Sequence, residues 1–104
     1  MSIEVEYHEG EAVVKLAEKI DISNSEKLKE AIKSVYEQGY NTVILDFAVV
    51  KMIDSSGIGK MLLFQNKLKD RGGQLKIVNI TSDHIKRMFS MIHLYKVVEI
   101  EGLS

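Results

Sequence analysis

Thr42-Val43-Ile44-Leu45-Asp46-Phe47, followed after four residues by Met52-Ile53-Asp54-Ser55-Ser56-Gly57-Ile58-Gly59, is the stretch on which the architecture of this chain turns. The first segment is an apolar run of strand length, broken only by Asp46. Continuous rather than alternating apolarity predicts burial on both faces, as at the centre of a parallel sheet. From Ile58 to Leu68 the pattern becomes helical. Two hydroxyls and two glycines therefore sit where a buried strand hands over to a helix. Backbone N–H groups at a helix start are unpaired and electropositive, so they suit an anion or a phosphate. Glycines there let another backbone or a ligand approach closely. In an open α/β sheet the functional crevice lies beyond the carboxyl ends of the strands, which is where this junction falls.

Outward from the junction the same alternation of strand and helix continues. Ile3, Val5 and Tyr7 alternate with Glu4, Glu6 and His8, the period of a strand with one wet face. Glu9-Gly10-Glu11 signals a turn, and Ala12 to Leu16 restart an extended pattern, so the two runs predict a hairpin. Ser23 with Glu26 has the form of a capping box ahead of a helix carrying Leu28, Ala31, Ile32 and Val35 and stopped by Gly39. The second helix ends near Arg71-Gly72-Gly73; Leu75, Ile77 and Val78 form the next strand. Thr81-Ser82-Asp83 caps a third helix with Ile85, Met88 and Phe89, and Val97, Val98 and Ile100 read as a last strand. The predicted order is β-β-α-β-α-β-α-β, an α/β fold with one mixed sheet and helical crossovers between parallel strands.

Composition narrows the classes of function. A chain of 104 residues with 45% hydrophobic and 28% charged residues has the size and make-up of one globular domain. The formal net charge of -1 and the lack of a basic block give no footing for nucleic acid or a membrane surface. With no cysteine, disulfides and thiolate chemistry are excluded, and a reducing cytoplasm fits. The first residues show neither a basic n-region nor an apolar h-region, so no signal peptide is expected.

Ser55 and Ser56 are the leading chemical candidates. One of them can cap the helix while the other is solvated, and Asp54 can either accept from a serine hydroxyl or cap the helix itself. A hydrolase elbow needs Gly-x-Ser-x-Gly, and Ile53 and Asp54 stand where the leading glycine would be required. A phosphate-binding loop fails as well, because Gly59-Lys60 is followed by Met61 and Asp54 replaces the first glycine. His8, His84 and His93 have neither metal-ligand spacing nor a context that marks a base. At about 100° per residue, Ile58, Met61, Leu62, Phe64 and Leu68 fall in one arc, the predicted core face. Leu63 points away, in line with Ser56, Gly59, Lys60 and Lys67. A lone exposed leucine is ordinary, but beside two small residues and the serine pair it is a candidate partner contact.

Asp54-Ser55-Ser56-Gly57-Ile58-Gly59 resembles the phosphorylation-site signature of bacterial anti-sigma factor antagonists, which are single-domain STAS proteins. Collinear segments extend the resemblance over essentially the whole chain: Ile20-Asp21, Gly72-Gly73, Lys86-Arg87-Met88-Phe89 and Leu94-Tyr95-Lys96-Val97-Val98. Glu18, where a glycine is common, and the bulky Ala48-Val49-Val50-Lys51 depart from the family pattern. The resemblance implies one STAS domain over residues 1–104, a mixed β-sheet with helices packed on one side, and a switch rather than an enzyme. In that family the unphosphorylated antagonist binds an anti-sigma factor with serine kinase activity and so frees the sigma factor. The kinase then modifies the serine after the motif aspartate, here Ser55, and a protein phosphatase reverses the change.

The partner-binding surface so implied comprises Asp21, Ser23, Asp54, Ser55, Ser56, Gly57, Gly59, Lys60 and Leu63. Neither cofactor, metal, nucleic acid nor membrane insertion is implied, and the free protein is expected to be a cytoplasmic monomer. Two other readings stand beside this one. A STAS accessory subunit of a membrane transport system shares the fold without phosphorylation, and the Ser55-Ser56 pair argues against it. An enzyme with a serine nucleophile is opposed by the lack of any partnered base.

Overall fold

The computed structural model describes residues 3–103, and its chain order is richer than the pattern predicts. Strands β1 (Glu4–His8), β2 (Glu11–Lys15) and β3 (Lys19–Ile20) precede helix α1 (Ser25–Glu37). Strands β4 (Thr42–Asp46) and β5 (Met52–Ile53) lead into helix α2 (Ser55–Asp70). Strand β6 (Gln74–Val78), helix α3 (Asp83–Met91), a 3-10 turn (Leu94–Lys96) and strand β7 (Glu99–Ile100) complete the order. The main sheet runs β1-β2-β4-β6-β7, with β1 antiparallel to β2 and every other pair parallel. The expected hairpin, mixed sheet and three helices are all present.

Register explains why the helices gather on one side. Ala12, Val43 and Leu75 form one cross-strand row, and Val14, Leu45, Ile77 and Ile100 another. All seven are buried in one core with Leu28, Ile32 and Val35 of α1, Met61, Phe64 and Leu68 of α2, and Ile85 and Phe89 of α3. Edge-to-face rings knit the layers, Phe47 against Phe89 at 5.7 Å and Tyr36 against Phe64 at 6.1 Å between centroids. On the opposite face lie Glu6, Val13, Ile44, Lys76 and Glu99 in one row, with Lys15, Asp46 and Val78 beside it. Ion pairs cross that face, Lys15 to Glu6 at 2.7 Å and Lys76 to Glu99 at 3.3 Å.

Three expectations are corrected here. Strand β4 is buried on one face and not both: Val43 and Leu45 are sealed, whereas Thr42, Ile44 and Asp46 are half-buried. Its apolar run reflects β-propensity and partial shielding of Ile44 by its cross-strand neighbours Val13 and Lys76. The final strand is only Glu99–Ile100, because Val97 and Val98 close the 3-10 turn through hydrogen bonds to the Leu94 carbonyl. The two-residue strands β3 and β5, which pair with each other in parallel, were not expected at all. Two residues are too few to show any hydrophobic period.

Arg71, just after α2, ties the far ends of α1 and α2 together. Its Nη2 donates to the carbonyls of Tyr36 at 2.8 Å and Tyr40 at 2.7 Å, and its Nε donates to the Asn41 side chain at 2.8 Å. The guanidinium also stacks 3.7 Å from the Tyr36 ring centroid. It thereby adds a partner to the Tyr36 carbonyl, which also accepts the Gly39 N–H, and engages the Tyr40 carbonyl in the loop after α1. Arg71→Ala is expected to cost about 1–2 kcal/mol, discounted for exposure, and Arg71→Lys to recover little of it because the fork geometry is lost. Thermal denaturation of the two variants checks this.

Candidate functional site

The short ladder of β3 and β5 builds the site. Lys19 pairs with Met52 and Ile20 with Ile53, and the Asp54 N–H donates to the Ile20 carbonyl at 3.0 Å. Each strand then runs into the same local device, an aspartate followed two residues later by a serine. Asp54 Oδ1 accepts from the Ser56 N–H at 2.9 Å, the Ser56 hydroxyl at 2.5 Å and the Gly57 N–H at 3.3 Å. Asp21 Oδ1 accepts from the Ser23 N–H at 2.9 Å and the Ser23 hydroxyl at 2.5 Å. The backbone carbonyls of both aspartates open a helical turn, Asp54 accepting from Ile58 and Asp21 from Ser25. Asp54 is thus the N-cap of α2, and neither serine fills that role.

Ser55, the first residue of α2, is exposed, and its hydroxyl makes no hydrogen bond among the described residues. Ser56 is half-buried and held by Asp54. Gly57 is buried: a Cβ there would lie 2.7 Å from Ile20 Cγ2 and 2.9 Å from Ile53 Cγ1, so the missing side chain lets α2 press onto the ladder. Gly59 is its opposite, exposed and with nothing within 4 Å of an added Cβ. Leu63 keeps 41% of its surface exposed, and the core arc of Met61, Phe64 and Leu68 is buried with Ile58 and Leu62 packed at its margin. Leu63 lines a hollow between α1 and α2 together with Lys29, Lys33, Tyr36 and Lys67.

The capping box expected at Ser23 and Glu26 does not form. Asp21, a stronger acceptor two residues upstream, takes both the N–H and the hydroxyl of Ser23, and α1 starts only at Ser25. Glu26 turns instead to Lys60 of α2, 3.0 Å away. Lys60 therefore joins the second turn of α2 to the first turn of α1.

Both carboxylates of the site are held below the ordinary value of 3.8. For Asp54 the first cause is the hydrogen bond from the Ser56 hydroxyl, with the N–H groups of Gly57, Ser56 and Ile22 adding to it. For Asp21 the Ser23 hydroxyl and N–H do the same, against repulsion from nearby Asp54. Folding therefore favours the ionised forms. Their contribution is complete above the ordinary value and is lost as pH falls through the lower folded value, so neutral pH changes leave these groups alone. Asp54→Ala should lower the melting temperature and Asp54→Asn, an equally good cap, should restore most of it. Melting curves at neutral and acidic pH check this: the gap between wild type and Asp54→Ala should narrow only on the acid side.

Other chemistry finds little material. Among the described residues no group of three or more His, Asp or Glu side chains is placed to hold a metal ion. His8 lies against Glu6 at 3.7 Å and His93 against the Tyr95 hydroxyl at 3.0 Å. No helix among the described residues is long and apolar enough to cross a membrane. One site feature escaped sequence reasoning: Ile22, between Asp21 and Ser23, is 82% exposed. A single apolar residue in a turn belongs to no period, so no pattern could have marked it.

Known proteins share this arrangement of elements. The family model described as the STAS domain matches residues 2–102. The anti-sigma-B factor antagonist of Bacillus subtilis is 28% identical over 104 residues, 100% of this chain and 94% of that protein. An anti-sigma factor antagonist from Mycobacterium paratuberculosis superposes with a TM-score of 0.79 at 22% identity, over 97% of this chain and 85% of that one. The phosphorylated form of the Bacillus cell fate determinant SpoIIAA gives a TM-score of 0.74 at 22% identity, over 97% and 92%. At such identities the two superpositions speak to the fold alone.

Proposed function

Because this chain belongs to the STAS domain family, we propose that it is an anti-sigma factor antagonist switched by phosphorylation of Ser55. One observation carries the reading: the Ser55 hydroxyl is exposed and unbonded at the start of a helix whose cap is already supplied by Asp54. A serine needed for capping would have to give up that bond to be modified. Ser55 gives up nothing.

In this reading the unphosphorylated chain docks on an anti-sigma factor with serine kinase activity and releases the sigma factor. The docking surface gathers Asp21, Ser23, Asp54, Ser55, Ser56, Gly59, Lys60 and Leu63, with Gly57 beneath it seating α2 on the ladder. Transfer joins Ser55 Oγ to the γ-phosphorus of ATP and breaks the bond from that phosphorus to the β,γ-bridging oxygen. ADP and the hydroxyl proton leave. The phosphate adds about −1.5 to −2 charge, which the helix N-terminus tolerates and a docked partner surface does not. A phosphatase would restore the hydroxyl by hydrolysis.

The test is incubation with the cognate anti-sigma factor and Mg-ATP, followed by mass spectrometry of the tryptic peptides. Phosphate on Ser55, lost in Ser55→Ala, is the expected result. Phosphate elsewhere, or none with an authentic partner, would leave the transport-accessory reading in its place.

A further inference from the structure

The two aspartate turns of the site are structural twins, and their middle residues differ. Lys19-Ile20-Asp21-Ile22 and Met52-Ile53-Asp54-Ser55 share the same sequence of environments: exposed, buried, half-buried, exposed. The parallel pairing of Lys19 with Met52 and Ile20 with Ile53 sets the two tetrapeptides side by side in register. Ile22 therefore occupies beside α1 the position that Ser55 occupies at the start of α2. The turns are joined through the backbone, the Asp54 N–H donating to the Ile20 carbonyl at 3.0 Å. Of the large apolar side chains among the described residues, Ile22 is the most exposed.

We propose that Ile22 is the apolar anchor by which the anti-sigma kinase locates Ser55. The partner surface is a shallow apolar cup that receives the isoleucine side chain, edged by hydrogen-bond donors or a cation facing Asp21 and Asp54. An isoleucine held out in water by a turn this heavily hydrogen-bonded loses little freedom on docking, and preorganised apolar anchors of this kind dominate interface energies. Its register with Ser55 presents the hydroxyl at a fixed offset from the cup. Modification then places a dianion at the rim of an apolar contact, which is where charge is least tolerated.

The inference rests on the antagonist reading, and its test separates the two. Each serine-kinase anti-sigma factor encoded in the genome of the source organism is purified and assayed with Mg-ATP against wild type, Ile22→Ala and Ile22→Leu. Ile22→Ala should raise KM for phosphorylation of Ser55 about tenfold or more while kcat changes by less than about twofold. Ile22→Leu should recover most of the loss, and all three proteins should melt together because the side chain touches no core. Wild type phosphorylated at Ser55 with Ile22→Ala equally good a substrate would overturn the anchor and keep the antagonist. A lowered melting temperature in Ile22→Ala would overturn it too, by making the residue structural. Failure of every kinase to modify or bind wild type would overturn both.

Discussion

Ser55→Asp is expected to weaken binding to the anti-sigma partner about a thousandfold while leaving the melting temperature nearly unchanged. The two halves of that result have separate causes. Folding does not resist the substitution, because Ser55 is exposed and a carboxylate there lies at the positive end of the α2 dipole. Binding does resist it. A docked surface made for a neutral hydroxyl would have to bury a new charge next to Asp54, itself ionised and already engaged with Ser56 and Gly57. An unpaired buried charge costs about 3–5 kcal/mol, and each 1.4 kcal/mol or so is a decade of affinity. Ser55→Ala should bind as wild type does and accept no phosphate. Isothermal titration and circular dichroism melts of the three proteins decide the matter. Equal affinity for Ser55→Asp, or loss of its cooperative melting, would remove Ser55 as the switch.

The largest expected loss of stability is at Gly73, far in sequence from the site. An added Cβ there would collide with the Asn41 carbonyl oxygen and lie 3.0 Å from the carbonyl carbon. That carbonyl accepts the Gln74 N–H at 2.8 Å, the bond that begins the pairing of β6 with β4. Backbone cannot rotate aside as a side chain can. Gly73→Ala should therefore cost about 2–4 kcal/mol. For a domain of this size that is about 10–20 °C in melting temperature. Gly59→Ala is the control: the added methyl meets nothing within 4 Å and lies inside a helix, so stability should hold or rise slightly. Differential scanning calorimetry on both variants would show whether close approach, rather than glycine content, sets the cost.

Much of this molecule could be read from residues alone, for identifiable reasons. The hairpin, the helices and the buried faces follow from periodicity, and the outward turn of Leu63 followed from the arc occupied by Met61, Phe64 and Leu68. The start of the second helix near Asp54-Ser55 was legible from the helical pattern that begins at Ile58, although the strand that leads into it is the short β5 and not the apolar run, which ends as β4 at Asp46. What escaped is tertiary. The β3–β5 ladder depends on Ile20 meeting Ile53, a residue far along the chain. Ser23 looked like a cap until Asp21 was found holding it. Arg71 reads as one more surface charge near a helix end, although it binds carbonyls at the end of a different helix and in the loop beyond it. Gln65 belongs to no motif, yet its side-chain oxygen accepts the Leu75 N–H at 2.9 Å. The ladder is a pairing of distant backbone segments, and the others are polar side chains for which a local window leaves the partner unsettled.

The β3–β5 ladder carries one further implication. Asp54 is fastened to the Ile20 carbonyl, and Gly57 is wedged against Ile20 and Ile53. Neither helix start can shift without dragging the other. On the proposed reading, a phosphate at this corner would sit on two helix starts that the ladder holds together. Its message would then be local charge at a fixed address. Divergent copies of such a domain can thus change their correspondents by altering the loose side chains around the corner, leaving the frame untouched.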